Sequence, residues 1–436
     1  MRRRAGLIER KVWAAAAVVS LVLLGGLAAL AAGPGDSPTR GAVGGISYGA
    51  WLPMDALRPA DLPPCVNEIF EGAPECGGAQ LVYDSADGYV LDQMICVNTI
   101  APVAFNSCTW KYEGGSWSEV SSPNGKQPPA LLYDGFVWDA TDGYALLFGG
   151  TKYPSGGAFD ASWSYRGGVW TNETSAPPFR FAQLHSTFDS SASEVLATYG
   201  VLSPGSLNWT TYLYAYRAGV WSNLSASSPT PPAFPIAAQM ADDPTDNGVL
   251  YFGGWANHTG VQENSSWLLV NGVWRSVRSV ANPPILYFPS MTYDSIDRYV
   301  VLVGGLLGFC SDNPCLFSNA VWEFSGGQWT NVTAQTKGPV PLEAEGAMVT
   351  DPATSSVIEG FGWVGYIGSG INLYATPQSN LYSYVNGTWT EVPNTSGAPY
   401  FLLAVVVAGS AIAAGAAISG FLLLRARRGS RRPPDN

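Results

Sequence analysis

Basic residues are scarce in most of this sequence. The 436-residue chain contains only 22 lysines and arginines against 33 aspartates and glutamates. Ten of the basic residues and two of the acidic ones lie near the chain ends, which leaves 12 basic and 31 acidic residues in the long part between them. An acidic surface of this kind repels polyanions. The composition therefore predicts no nucleic-acid partner.

Other chemical groups are also rare. The chain has two histidines, His185 and His258, and no G-x-S-x-G turn that would present a nucleophilic serine. The cysteine spacing is not that of a zinc ribbon. We predict no catalytic residue, no metal site and no cofactor from these patterns. A glycosidase would need a pair of carboxylates, which leaves little trace in a sequence, and the candidates for this role are Glu343, Glu345 and Glu263. Glu343 and Glu345 are two positions apart, and this spacing instead predicts exposed charges at the start of a strand.

Two apolar segments bracket the chain. Residues 13–32 follow five basic residues and end in small residues, so residues 1–32 are predicted to be a secretory signal peptide or an uncleaved signal anchor. Residues 400–424 carry no charge and precede five arginines, which predicts one transmembrane helix and a basic cytoplasmic tail at 425–436. The prediction is a single-pass protein of the cell membrane with its central part outside the cell.

Small residues recur every four positions in the second apolar segment, at Ala411, Gly415 and Ser419. This spacing permits close helix approach and predicts weak self-association.

The exported part carries two kinds of modification signal. Six cysteines in such a domain are expected to pair, and short loops favour Cys65 with Cys76, Cys96 with Cys108, and Cys310 with Cys315 among 15 connectivities. Eight N-x-S/T glycosylation acceptors also fall between the apolar segments; they are Asn172, Asn208, Asn223, Asn257, Asn264, Asn331, Asn386 and Asn394.

An internal repeat dominates residues 65–394. Six similar phrases, WKYEGGSW, WSYRGGVW, YAYRAGVW, WLLVNGVW, WEFSGGQW and YSYVNGTW, each end in a tryptophan. The predicted repeats cover residues 65–122, 123–175, 176–227, 228–280, 281–334 and 335–394. A period slightly above fifty residues indicates four strands a unit.

Turn residues mark the two hairpins of each unit. The dipeptide before each final strand is Gly-Gly, Ala-Gly or Asn-Gly, which suits a type I′ turn with positive φ at both positions. Aspartates at the first hairpin predict turns capped by their own side chains rather than a calcium site; they are Asp84, Asp139, Asp189, Asp242, Asp294 and Asp351.

The runs YALLFGG, VLYFGG and YVVLVGG, each followed by an aromatic pair and a tryptophan, resemble kelch repeats. They are similar in particular to the exported prokaryotic, often archaeal, type, and more distantly to the propeller domain of galactose oxidase. The resemblance implies an all-β, six-bladed propeller of four-stranded antiparallel blades. Repeats 1, 3 and 6 lack the double glycine. Two histidines in different structural positions do not match the copper site of galactose oxidase.

The two faces of such a propeller are predicted to differ. One face, here named the turn face, carries the first-to-second and third-to-fourth strand connections, which are short. The other, the loop face, carries long and dissimilar second-to-third connections, where binding commonly occurs. Aromatic residues of these connections are the ligand-binding candidates; they are Tyr153, Trp209, Trp255, Phe309, Trp363 and Tyr366.

The sequence thus predicts a non-catalytic cell-surface propeller that binds a protein or a glycan through its loop face. The alternatives are a carbohydrate-active enzyme with carboxylates near the channel and a structural envelope glycoprotein. Residues 33–64 are predicted to be a linker, which either stays outside the propeller or contributes to the closure of its ring. Only seven residues separate Val392 from the predicted membrane span, so the loop face is expected to point sideways or toward the bilayer.

Overall fold

Glycine-rich turns and short apolar runs make this chain a succession of hairpins. The computed structural model describes residues 66–70, 73–75, 80–98, 104–120, 122–153, 155, 157–173, 177, 185–202, 209–227, 233–256, 263–307, 316–367, 373–377 and 380–392. The predicted signal segment, the linker 33–64, the membrane span 400–424 and the tail lie outside these residues. Within the described ranges, there is no helix long and apolar enough to cross a bilayer.

The strands follow one another along the chain in regular antiparallel order. A first hairpin precedes the blades and consists of β1 (Val66–Phe70) and β2 (Ala73–Glu75). Blade 1 consists of β3 (Leu81–Asp84), β4 (Tyr89–Asn98), β5 (Ala104–Glu113) and β6 (Ser116–Val120).

Blade 2 carries a small accessory sheet in addition to its four strands. Its strands and accessory strands are, in chain order, β7 (Leu131–Leu132), β8 (Gly135–Asp139), β9 (Tyr144–Phe148), β10 (Thr151–Lys152), β11 (Gly157–Ala158), β12 (Ser162–Arg166) and β13 (Val169–Glu173). The blade is formed by β8, β9, β12 and β13, and the accessory sheet by β7, β10 and β11.

Blades 3 to 5 have four strands each. Blade 3 consists of β14 (His185–Asp189), β15 (Glu194–Leu202), β16 (Trp209–Arg217) and β17 (Val220–Asn223). Blade 4 consists of β18 (Ala233–Asp243), β19 (Gly248–Ala256), β20 (Ser266–Val270) and β21 (Val273–Ser276). Blade 5 consists of β22 (Ser290–Asp294), β23 (Tyr299–Val303), β24 (Trp322–Ser325) and β25 (Gln328–Asn331).

Blade 6 closes the series and carries a separate hairpin. Its strands in chain order are β26 (Ala347–Asp351), β27 (Ser356–Gly360), β28 (Trp363–Ile367), β29 (Leu373–Pro377), β30 (Leu381–Val385) and β31 (Thr388–Glu391). The blade is β26, β27, β30 and β31, while β28 and β29 pair with each other.

The first strands of the blades form a closed ring. The strands β3, β8, β14, β18, β22 and β26 each contact the next in this order, and β26 contacts β3. These strands are therefore the innermost, and the last strand of each blade is the outermost. The predicted six-bladed β-propeller with four-stranded antiparallel blades is confirmed.

The predicted type I′ turns are present in all six blades. Both central residues of each turn have positive φ, including Ala218 at 49° beside Gly219 at 80°. A two-residue loop of this kind fixes the register, so each closing tryptophan lies opposite an aromatic or apolar residue, as Trp170 lies opposite Tyr165. Five of the six closing tryptophans are buried, and Trp221 is partly buried.

The aspartate turns are capped as predicted in five blades. The Oδ1 atom of Asp84 accepts hydrogen bonds from the backbone N–H groups of Ala86 (3.0 Å) and Asp87 (3.1 Å). Asp139, Asp189, Asp294 and Asp351 also accept backbone N–H groups of their own turns. The prediction of Asp242 was wrong by one residue, because β18 ends at Asp243, whose Oδ1 accepts the N–H of Asp246.

Closing tryptophans also connect neighbouring blades. The indole N–H of Trp170 donates to Oγ1 of Thr109 in blade 1, and that of Trp329 donates to Oγ of Ser266 in blade 4. Trp221 donates in the same way to Ser162. The corresponding positions of the other three blades, three residues before the strand partner of the closing tryptophan, hold Leu213, Val321 and Leu381. Their neighbours Trp274, Trp389 and Trp117 have no partner for the indole N–H among the described residues.

The second-to-third connections are more regular than predicted. In blades 1 and 3 the second and third strands continue as long ladders, pairing Asn98 with Ala104 and Leu202 with Trp209. Blades 2 and 5 instead bend at double glycines with positive φ, and Phe361 (φ 67°) takes this place in blade 6. The loop face is therefore largely built of hairpin extensions of unequal length.

Candidate functional site

The loop face carries most of the predicted binding aromatics on strands. Trp209 begins β16 opposite Leu202, and Trp255 lies next to the end of β19 opposite Phe234. Trp363 and Tyr366 lie on β28, opposite Pro377 and Tyr374. Their side chains, like all of Phe309, lie outside what the structure describes. The backbones of Trp209, Trp255, Trp363 and Tyr366 lie on this face, and a binding role for these residues stays a prediction.

Tyr153 is the one predicted binding residue whose side chain is described. It is partly buried against Ile95, Ala130 and Leu132, and its backbone N–H donates to the carbonyl of Ala130 (2.9 Å). This packing attaches the blade 2 extension to blade 1. Tyr153 therefore has a clear structural role.

Of the predicted modification sites, several glycosylation acceptors are exposed. Asn172, Asn223 and Asn331 lie on the outermost strands, and Asn264 and Asn386 are exposed as well. Asn208, Asn257 and Asn394 lie outside the described residues.

The predicted disulfides remain predictions. Cys96 and Cys108 lie on paired strands, with Asn106 opposite Cys96 and Met94 opposite Cys108. Cys65 and Cys76 immediately flank the β1–β2 hairpin in the sequence. These two and Cys310 with Cys315 lie outside the described residues.

A buried pair of carboxyl groups lies where blade 5 meets blade 6 near the loop face. Glu343 and Glu359 are 2% and 0% exposed, and their side chains are hydrogen-bond partners. Oε1 of Glu359 accepts the hydroxyl of Ser290 in blade 5 (3.1 Å), and Oε1 of Glu343 accepts the backbone N–H of Gly362 (3.1 Å). We name these two glutamates the carboxyl pair.

The prediction that Glu343 is an exposed charge at a strand start was wrong. The strand β26 begins at Ala347, four residues later, and Glu345 between them has φ 60°. A left-handed residue breaks the two-residue alternation on which the prediction rested. Glu345 is partly buried, and its backbone N–H donates to the carbonyl of Phe288.

Two glycines make room for the carboxyl pair. A Cβ atom at Gly346 would collide with carboxyl oxygens of both glutamates and with the hydroxyl of Ser290. One at Gly362 would lie 2.8 Å from Cδ of Glu343. The backbone around the pair therefore fits these two side chains closely.

Strand register shows which residues occupy the position of Glu359 in other blades. Glu359 occupies the position held by Leu147 in blade 2 and Leu302 in blade 5, both buried. In blade 1 the same position is Asp92, which is also fully buried. An alignment of the repeats by their turns would have found this signal in the sequence.

Burial controls the ionisation of these groups. Desolvation raises the pKa of Glu359 well above its usual range, and the nearby Glu343 raises it further. Desolvation also raises the pKa of Glu343, while the hydrogen bond from Glu359 opposes this rise. The two carboxyl groups therefore together retain a proton at a pH at which exposed glutamates are ionised.

A further buried carboxyl lies in blade 2. Desolvation raises the pKa of Asp134 to about 7. The Gln80 side chain of blade 1 donates to the Asp134 carbonyl and accepts the N–H of Phe136 (2.7 Å). Blades 6, 1 and 2, which are consecutive in the ring, therefore each contain at least one buried carboxyl group. No group of three or more potential metal ligands occurs within the described ranges.

The fold and this site define the class as an all-β, six-bladed propeller with one structurally varied face. No protein-family model matches the chain, and no curated protein shows significant similarity to it.

Proposed function

We propose that the protein is a non-catalytic cell-surface propeller of the kelch type that binds a protein or a glycan through its loop face. The observation that carries this proposal is the difference between the faces. The turn face consists of two-residue turns and aspartate-capped turns that repeat from blade to blade. The loop face consists of extensions that vary in length and pairing among the blades, and such variation on a fixed scaffold is typical of recognition surfaces.

The kelch assignment depends on the repeated residues. Double glycines with positive φ follow the second strand of blades 2 and 5 and lie within the second strand of blade 4, and a tryptophan closes each blade. The location at the cell membrane depends on the two apolar segments, the basic flanks and the acidic part between them.

A carbohydrate-active enzyme is the second candidate, because buried carboxyls lie near the loop face. Glycosidase carboxylates flank the bond to be cleaved and are about 5 Å apart or more. Glu343 and Glu359 are instead hydrogen-bonded to each other and buried, so we assign them a structural role. A structural envelope glycoprotein is the third candidate, and it requires no ligand.

Binding can be tested with the full chain in detergent on a glycan array and against surface proteins of the same cells. We expect a ligand whose binding is weakened by Trp209→Ala or Trp255→Ala. Val273→Ala is the control, since this exposed valine lies beside a two-residue turn on the turn face.

The alternatives predict different results. Hydrolysis of a glycan that Glu359→Gln abolishes would favour the enzyme. Equal loss of binding in the tryptophan variants and the Val273→Ala control would contradict recognition through the loop face.

A further inference from the structure

Blade 5 exposes apolar side chains on the loop face. Leu307 is 46% exposed, Leu316 is 68% exposed and Ile285 is 41% exposed. Leu342, which leads into blade 6, is 50% exposed. We name these four residues the apolar rim.

Backbone hydrogen bonds bring the rim together. The N–H of Leu307 donates to the carbonyl of Leu316 (2.8 Å), and Leu306 pairs with Tyr287, two residues from Ile285. The N–H of Gly305 donates to the carbonyl of Glu343, the residue after Leu342 (2.8 Å). Beneath the rim, Leu306 and Ala344 pack with the partly buried Tyr287, Phe288 and Phe317. These backbone bonds therefore place the four residues of the rim near one another across blades 5 and 6.

The backbone pairing of this region does not require these side chains, because blade 2 makes the corresponding pairings without them. Thr151 pairs with Leu132 and Ala158 there, as Leu306 pairs with Tyr287 and Phe317 in blade 5. The hydrogen bond from Phe159 to Gly150 likewise corresponds to that from Ser318 to Gly305.

This correspondence aligns the rim with residues of blade 2. Lys152 takes the place of Leu307, and Gly157 that of Leu316. The buried Ala130 takes the place of Ile285. Blade 2 lies opposite blade 5 in the ring of six, so the exposed leucines and isoleucine of blade 5 have no exposed apolar counterpart at the three matched positions of blade 2.

The sequence after the last strand contains the predicted membrane anchor. Strand β31 begins after the two-residue turn at 386–387 and runs to the loop face, where the N–H of Val392 donates to the carbonyl of Leu381. Seven residues then precede the apolar segment 400–424. Fully extended, they reach at most about 25 Å. A blade of four strands about 4.8 Å apart is narrower than this reach.

We propose that the apolar rim rests on the outer surface of the lipid bilayer. The predicted anchor holds the loop-face side of blade 6 close to the lipid, and the four aliphatic side chains enter the interface between headgroups and acyl chains. Burial of aliphatic side chains in that interface offsets their exposure to water. The propeller then tilts, with blades 5 and 6 on the membrane and the loop face of blades 2 and 3 open to a ligand.

The test uses the full chain in phosphatidylcholine vesicles, after confirming that alkali does not extract it from membranes. A photoreactive benzophenone amino acid is introduced at position 307 or 316, and at the matched positions 152 or 157 of blade 2. After illumination, mass spectrometry identifies the adducts. We expect lipid adducts at 307 and 316 and none above the unilluminated background at 152 and 157.

A second variant tests the side chains themselves. Ile285→Ala, Leu307→Lys and Leu316→Gly together give blade 5 the residues with which blade 2 already folds. With the photoreactive group at position 342, this variant should lose its lipid adducts while its melting temperature stays close to that of the parent protein. If the triple variant does not fold, the four single-site labels still decide the matter.

Three results would overturn the proposal: equal lipid labelling in blades 2 and 5, adducts to a protein or to a second copy at 307 and 316, or extraction of the chain by alkali. Ligand binding measured in detergent does not involve the bilayer. Its outcome therefore separates a failure of the rim proposal from a failure of the proposed recognition function.

Discussion

The indole N–H of Trp170 donates to Oγ1 of Thr109 at 2.8 Å across the boundary between blades 2 and 1. The same contact joins Trp221 to Ser162 and Trp329 to Ser266. It is missing at the other three boundaries because the neighbouring blade has an apolar residue, Leu213, Val321 or Leu381, at the position of the hydroxyl. Half of the boundaries in the ring therefore bury an indole N–H with no partner among the described side chains.

This difference between the boundaries predicts opposite changes in the free energy of unfolding when a hydroxyl group is added beside an unpaired indole and when one is removed beside a paired indole. Val321→Thr places a hydroxyl beside Trp389 and should raise the free energy of unfolding by about 1 kcal/mol. Thr109→Val leaves the indole of Trp170 unpaired and should lower it by about 1–3 kcal/mol. Chemical denaturation measures both. Destabilisation by Val321→Thr would show that the hydroxyl does not reach the indole.

The carboxyl pair predicts a pH dependence of stability. In the folded protein the pKa values of Glu343 and Glu359 are both raised, whereas in the unfolded chain a glutamate has a pKa of about 4.3. The folded state therefore binds more protons than the unfolded state above that pH. The stability contributed by the pair is fully present below the unfolded pKa and is lost as pH rises through the folded pKa values.

Glu359→Gln should reduce this loss, since the amide keeps a donor toward Glu343 but cannot ionise. For each unit by which the pKa difference between the folded and unfolded states becomes smaller, the free energy of unfolding at high pH rises by about 1.4 kcal/mol. Melting temperatures measured from about pH 5 to about pH 8 should fall less steeply in the variant than in the parent protein. Glu119→Gln on the exposed face of β6 is the matched control and should leave the slope unchanged.

The leucines at the Glu359 position of other blades suggest a substitution that removes both buried carboxyl groups. Glu343→Leu with Glu359→Leu restores the leucine found at the Glu359 position of blades 2 and 5. A buried ionic group replaced by apolar residues often leaves stability unchanged or raises it by about 1–4 kcal/mol, whereas removal of one partner alone destabilises. We expect the double variant to be more stable than Glu359→Leu alone, by denaturant unfolding. The reverse order would show that the pair stabilises the boundary between blades 5 and 6.

Glycans are predicted on the outermost strands. Asn172, Asn223 and Asn331 are exposed, each two residues after a closing tryptophan. Sugars there would cover unpaired strand edges and hinder pairing between molecules. Mass spectrometry of native protein should find them occupied, and Asn223→Gln with Asn331→Gln should increase aggregation on heating. Unmodified asparagines at all three positions would contradict this prediction.

The sequence predicted those features that local chemistry determines. Glycine and asparagine at Asn271-Gly272 and Asn386-Gly387 allow few turns other than type I′, so the register and the blade count followed from the repeats. At Asp242 the prediction failed because two aspartates are adjacent and either can end the strand. Which one does so depends on the pairing of Asp243 with Gly248.

The carboxyl pair was beyond such local reasoning. Glu343 and Glu359 are 16 positions apart in the sequence, and their contact depends on the left-handed backbone at Glu345 and on Ser290 in another blade. The apolar rim was missed for a similar reason. A leucine in a loop indicates packing in general, and only the comparison of blade 5 with blade 2 shows that Leu307 and Leu316 are not needed for it.

Each blade takes its four strands from one uninterrupted stretch of chain, from Leu81–Val120 in the first to Ala347–Glu391 in the last. The meeting of β26 with β3 is therefore a contact between two complete units, like the other five boundaries. A gene rearranged so that the chain starts at any blade would encode the same ring, and copying one blade adds a whole unit without splitting a sheet. Circular permutation at a blade boundary thus leaves every four-stranded sheet intact.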